Sequence, residues 1–153
     1  IFWLQSHKYT EGWYYANQNK STTDHLAGSG CPRCRMSNGE FFISAWLTNR
    51  NLTFIHNHTF HDCTNPQTGK RLKFDFFLPS HNLAIEFDGL QHFYPVRFNG
   101  ISLVTATNNL AQTQYLDTVK NTYADTTNIK LIRIKYDQDI DPILTSIPGL
   151  VPQ

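Results

Sequence analysis

Two short apolar segments, "RLKFDFFLP" and "LAIEFDG", joined by the turn "PSHN", carry Asp75, Glu86 and Asp88 inside runs that otherwise belong in a hydrophobic core. Runs of aromatic and aliphatic residues bounded by turn formers read as strands, and the short connection makes the pair antiparallel. Residues two apart on a strand share a face. Asp75 therefore accompanies Phe77, Glu86 accompanies Ala84 and Asp88, and the hairpin can set Asp75 opposite the other two acids. Carboxylates in apolar strands are costly to bury without a partner. The hairpin thus needs a bound cation or proton chemistry to account for its acids. His92 follows just past the strand end, where Gly89 lets the chain turn.

The other patterns place this hairpin in a mixed sheet. "SNGEFFISAWLTNRN" opens with the Ser-x-x-Glu signature of a capping box, Ser37 to Glu40, and reads as a helix. Glu40 has two readings: a cap bonding its own helix, or an acid aimed inward on the side of Ile43 and Leu47. "LTFIHNHTF" alternates as a strand. "NNLAQTQYLDTVKNTYADTTN" has a helical period, with Leu116, Val119 and Tyr123 on one side and Gln114, Asp117 and Asn121 on a neighbouring polar stripe. "IKLIRIKY" is a further strand, and Pro142, Pro148 and Pro152 leave room for at most a short helix after it. The order helix, three strands, helix, strand predicts an α/β (α+β) domain over residues 37–153, a mixed central sheet flanked by helices. A chain of 153 residues accommodates one such domain and a small appendage.

The appendage is residues 1–36, aromatic and polar with no sustained period. It ends in "HLAGSGCPRC", where Gly28 and Gly30 permit tight turns and Cys31 and Cys34 form a knuckle able to place two thiolates on one cation. Structural zinc is preferred to a redox pair, since the strand-to-helix setting of redox motifs is absent. His7, His25 or Cys63 could complete a tetrahedral set. "HNHTFHDC" offers His56, His58, His61 and Cys63 as a second candidate, disfavoured because alternate strand residues rarely converge on one ion. Three cysteines, an odd number, suit a reducing compartment, the cytoplasm, better than a disulfide framework. The Asn-x-Ser/Thr triplets at Asn19, Asn51 and Asn57 carry little weight in a chain rich in Asn and Thr. No apolar run approaches the roughly 18 residues of a membrane span, so neither a membrane partner nor a leader is expected.

A net charge of +1 neither demands nor excludes nucleic acid, because an acidic site can cancel a basic face in the total. Lys70, Arg71 and Lys73 cluster, Arg33 and Arg35 flank the second cysteine, and Lys130, Arg133 and Lys135 recur near the end; each group alone reads as a solvated face. Phosphodiester hydrolysis needs an activated water and neutralised charge, and a divalent ion held by carboxylates contributes to both. Magnesium or manganese favours oxygen donors. Asp75 and Glu86 are the natural ligands, with the carbonyl of Phe87 as a third oxygen, and a neutral His92 could take the proton of an attacking water.

The run from Phe74 to His92, "FDFFLPSHNLAIEFDGLQH", preceded by "HLAGSGCPRC" and followed by "QYLDTVKN", resembles the PD-(D/E)XK nuclease superfamily. The likeness is to the branch of very-short-patch repair endonucleases and phage homing endonucleases described by an EDxHD motif, and it spans Asp24 to Tyr136. It implies a restriction-endonuclease-like αβββαβ core, a zinc-finger-like module gripping DNA, and an intracellular, phage- or mobile-element-encoded enzyme that nicks or cuts DNA with a metal ion. It further implies that Glu40 is the helix acid, Asp75 and Glu86 the strand acids, and His92 the imidazole near the scissile phosphate. Asp88 stands where many members carry lysine, so the duties of that lysine would pass to His92, Gln91 or Lys120. Asp117 either completes the acidic set or is helix surface. Lys70, Arg71, Lys73 and Arg97 would hold DNA phosphates outside the acidic pocket. The missing lysine and incomplete cysteine set leave room for a catalytically inactive DNA-binding protein of the same fold. From another class comes a secreted domain that stacks ligands on its aromatics.

Overall fold

The computed structural model describes residues 36–151, nearly all within the second of two compact units, Asn38–Gln153. Cys31, Cys34, His7, His25, Arg33 and Arg35 lie outside the described residues. The elements in order are α1 (Asn38–Asn49), β1 (Ile55–Thr64), β2 (Arg71–Leu78), β3 (Leu83–Asp88), α2 (Leu103–Thr126), β4 (Lys130–Lys135) and α3 (Ile140–Thr145). The strands form one mixed sheet in the order β1-β2-β3-β4, antiparallel across the first two junctions and parallel between β3 and β4. The parallel pair follows from α2 acting as the crossover, since a short turn can join only antiparallel neighbours.

Helices cover both faces. Ile43, Trp46 and Leu47 of α1 and Leu144 of α3 pack with Phe76, Leu78, Leu83, Ile85 and Ile134 on one side. Leu116, Val119 and Tyr123 of α2 pack against Ala84, Phe77 and Leu131 on the other, as their helical spacing predicts. Alternation along β3 then turns Glu86 and Asp88 to the α2 face with Ala84, while Phe87 joins Leu83 and Ile85 on the α1 face. The ring of Phe87 lies directly on Gly39, where even a methyl group would overlap it. That contact ties the start of α1 to the end of β3.

Strand β2 does not keep one face throughout. Phe76 and Leu78 belong to the α1 side, yet Leu72 and Phe74 pack on the α2 side with Cys63, although period-two alternation would group all four. The change falls at Asp75. Across the ladder, His56 pairs with Phe76 and His58 with Phe74, so the residue facing Asp75 is Asn57, held at a left-handed φ of 55°. Pairing of β2 with β3 runs from Leu78↔Leu83 to Phe76↔Ile85 and goes no further, so the two strands part at Asp75.

Three boundaries differ from the sequence pattern. Helix α2 begins at Leu103 rather than near Asn108 because Ser102 caps it, its hydroxyl accepting from the Thr105 N–H at 3.1 Å. The "LVTAT" stretch, exposed apart from the buried Ala106, has no apolar stripe to announce that turn. Strand β1 extends to Thr64 through a register shift between Thr59 and Thr64. The "PSHN" turn contains a short 3-10 segment, Pro79–His81, closed by Asn82 at φ 44°. No helix among the described residues is long and apolar enough to cross a membrane.

Candidate metal and proton-transfer site

Where β2 and β3 part, side chains replace the missing ladder bonds. The N–H of Phe87 donates to Asp75 Oδ2 at 2.8 Å. In an extended strand a residue's N–H and C=O turn toward the same neighbour, so the Phe87 carbonyl faces the same gap. Glu86 is buried, and Lys120 Nζ, reaching down from α2, donates to its Oε1 at 2.9 Å and its Oε2 at 2.8 Å. Burial pushes the Glu86 carboxyl up to about 7, with Lys120 opposing and the nearby Asp75 carboxylate reinforcing the rise. Asp75 is likewise raised by burial, offset by the Phe87 N–H and increased by Glu40. Glu40 thus faces the site from α1: its Oε2 lies 3.3 Å from His56 Nε2, on β1.

A second constellation begins two residues along β3. Arg133 of β4 grips Asp88 with both arms, Nε to Oδ2 at 2.8 Å and Nη2 to Oδ1 at 2.6 Å. The same Nη2 donates to Asp117 Oδ1 at 2.7 Å, and Asp117 Oδ2 lies 2.7 Å from His92 Nδ1. Gln114, one turn earlier on α2, donates to the His92 carbonyl at 3.2 Å. Burial alone would raise Asp117, but its bonds to His92 and Arg133 hold it below the usual carboxylate range. The bond to Asp117 raises His92 above an ordinary histidine against the opposing pull of burial. With Asp117 ionised, Nδ1 must be the donor, which leaves Nε2 without a hydrogen bond among the described residues.

Asp88, His92 and Asp117 each offer a ligand atom, all within 4.8 Å of one another, as a metal site would require. The guanidinium of Arg133 already supplies the positive charge there, bonded to both carboxylates. At the fork, Asp75 and Glu86 are both raised by burial, and Lys120 is the side-chain donor to Glu86 among the described residues. Among the described residues, Oδ1 of Asp75 and second lone pairs on both Glu86 oxygens stay open to further bonds.

The remaining expected residues fall as follows. Gln91 is exposed, with its amide folded over Gly89. Lys70, Arg71 and Lys73 are exposed along the start of β2, and Arg97, also exposed, donates to the Ile101 carbonyl at 2.9 Å. Cys63 is a buried free thiol in the apolar cluster of Phe74 and Ala84; burial pushes it up, which opposes the thiolate a zinc ligand must be. His58 stacks on Phe77 while His56 turns to Glu40, so the histidines of β1 do not converge. Arg133, expected on a solvated face, is instead the hub of the second constellation. Its signal was a charged residue sharing the face of Leu131 between Ile132 and Ile134. An open cavity of about 450 Å³ on the α1 side, lined by Phe42, Trp46, Phe87 and Tyr136, carries Asp139 and Asp141 but no basic group, and so does not suit phosphate. No protein-family model, curated protein or solved structure matches this chain.

Proposed function

We propose that the protein is a metal-dependent DNA endonuclease, nicking or cutting duplex with magnesium or manganese. The observation that carries this reading is the fork between β2 and β3, where Asp75, Glu86 and Lys120 meet. Asp75, Glu86 and the Phe87 carbonyl would hold the ion, which when bound supplies charge neutralisation and an acidified water. Lys120 supplies the positive charge that the lysine position, here Asp88, does not. His92, its Nδ1 occupied by Asp117, presents Nε2 as the proton acceptor for an attacking water. Lys70, Arg71 and Lys73, exposed at the start of β2, would meet the DNA backbone.

The test is relaxation or linearisation of supercoiled plasmid with and without magnesium. Asp75→Ala abolishes metal-dependent cleavage while the protein stays folded and still retards DNA. Full activity in that variant overturns the proposal. Retardation by the wild-type chain with no cleavage in magnesium or manganese makes it an inactive DNA-binding protein of the same fold.

A further inference from the structure

We infer that Arg133 is the positioning residue for His92, acting through Asp117. A carboxylate on a helix can rotate about its own bonds, and a single hydrogen bond to an imidazole does not stop it. Here both oxygens of Asp117 are used: Oδ1 accepts from Arg133 Nη2 at 2.7 Å and Oδ2 faces His92 Nδ1 at 2.7 Å. Arg133 is itself fixed by its two-armed bond to Asp88 at 2.8 and 2.6 Å, with Asn121 Oδ1 3.4 Å from Nη1. The chain of contacts therefore runs from β3 through β4 to α2 and back to the turn after β3. Three secondary-structure elements converge to set the plane of one ring.

The chemistry needs arginine in particular. A planar guanidinium can grip Asp88 with two nitrogens and spend a further N–H on Asp117, whereas an ammonium is a compact point charge without that fork. Asp117, with one oxygen on Arg133 and the other on His92, is held below the usual carboxylate range and can only accept, so His92 is held with its proton on Nδ1. Nε2 is then the free base at the edge of the site. The groups facing His92 are Asp88 from β3, Asp117 from α2 and Arg133 from β4. Partners of this kind behind a metal-ligating histidine typically change affinity or activity by about 10- to 100-fold when removed, and a loss of the same order is expected behind His92.

The inference rests on the proposed function only for its kinetic readout; its main test does not need cleavage. Nitrogen-detected NMR of the full chain, in chelator, reads which ring nitrogen of His92 carries the proton in the neutral form. The expected result is the Nδ1–H tautomer in the wild-type chain and in Asp75→Ala, and a mixture of tautomers in Arg133→Lys. A folded Arg133→Lys with the wild-type tautomer overturns the inference. Should Arg133→Lys fail to fold, Asp88→Asn, which loosens the grip on the guanidinium while sparing Asp117, is read in the same way. On plasmid DNA, Arg133→Lys lowers kcat by about 10-fold or more with KM near the wild-type value. A wild-type chain that shows the tautomer lock but never cleaves DNA sinks the nuclease proposal and leaves the role of Arg133 standing.

Discussion

Lys120 Nζ sits 2.9 Å from one oxygen of Glu86 and 2.8 Å from the other, so a cation from the crossover helix neutralises an acid buried in the central sheet. The pair spans 34 positions in sequence and joins the α2 face to β3. Replacing Lys120 by Met leaves Glu86 buried with no side-chain donor among the described residues, and breaking a buried ion pair from one side costs about 3 kcal/mol or more. Lys120→Met therefore lowers the free energy of urea unfolding by about that amount and abolishes cleavage, while Lys120→Arg recovers part of both. An unfolding midpoint equal to wild type in Lys120→Met contradicts the pairing.

Gly39 and Phe87 form the other tight joint near the site. Any Cβ at position 39 overlaps the Phe87 ring, and Phe87 is the residue whose N–H holds Asp75. Overpacking of this kind costs about 1 to 3 kcal/mol. Gly39→Ala destabilises the fold by that order and disturbs Asp75 through the backbone of β3, and Phe87→Leu in the same chain restores part of the loss. Denaturation of the single and double variants measures it; additive losses, with no recovery, contradict the contact.

The acids of the fork make the metal-free protein pH-sensitive in a direction opposite to ordinary acid denaturation. Glu86 moves from 4.5 to about 7 on folding, so between those values the folded state binds more protons than the unfolded one. Stability from this group is fully present below 4.5 and is lost as pH rises through about 7. Asp75 and His92 are also raised and act with the same sign, His92 above its ordinary 6.5. Asp117 is lowered and acts oppositely, but only below 3.8. In chelator, the urea midpoint falls between about pH 5 and about pH 8, with Glu86 contributing at most about 3 kcal/mol. Saturating magnesium removes most of the fall. A metal-free midpoint that rises over this interval contradicts the upward shift that burial imposes on these carboxyls.

Much of this arrangement could be read from residue patterns. The period-two runs located β2 and β3, and the helical period of Leu116, Val119 and Tyr123 identified the face of α2 that packs on the sheet. The polar stripe of Gln114, Asp117 and Asn121 also holds, since all three meet His92 or Arg133. What the pattern could not supply is register and face beyond regular alternation. Asn57 takes a left-handed conformation inside a strand, which no local turn signal announces, and the change of face at Asp75 accompanies it. Arg133 was hidden for a related reason: its partners lie 45 and 16 positions away, and only the parallel pairing of β4 with β3 sets it beside Asp88. Cys63, grouped with the zinc knuckle by residue type, is claimed by the apolar cluster around it.

The two acidic constellations differ in one respect that metal titration can read. Asp75 and Glu86 are held above their ordinary values, whereas Asp117 is held below, because His92 bonds to it and Arg133 supplies a cation to it and to Asp88. A divalent ion entering the Asp88, His92 and Asp117 group would have to displace a guanidinium bonded to both carboxylates. At the fork Lys120 already donates to both Glu86 oxygens but not to Asp75, so an entering ion instead offsets the repulsion between Glu86 and the buried Asp75 carboxylate. Manganese binding, followed by the loss of its free electron-spin signal, is therefore suppressed by Asp75→Asn and survives in Asp117→Asn with affinity within about threefold of wild type. Loss of manganese binding in Asp117→Asn, with retention in Asp75→Asn, would place the ion on the wrong side of β3 for this assignment.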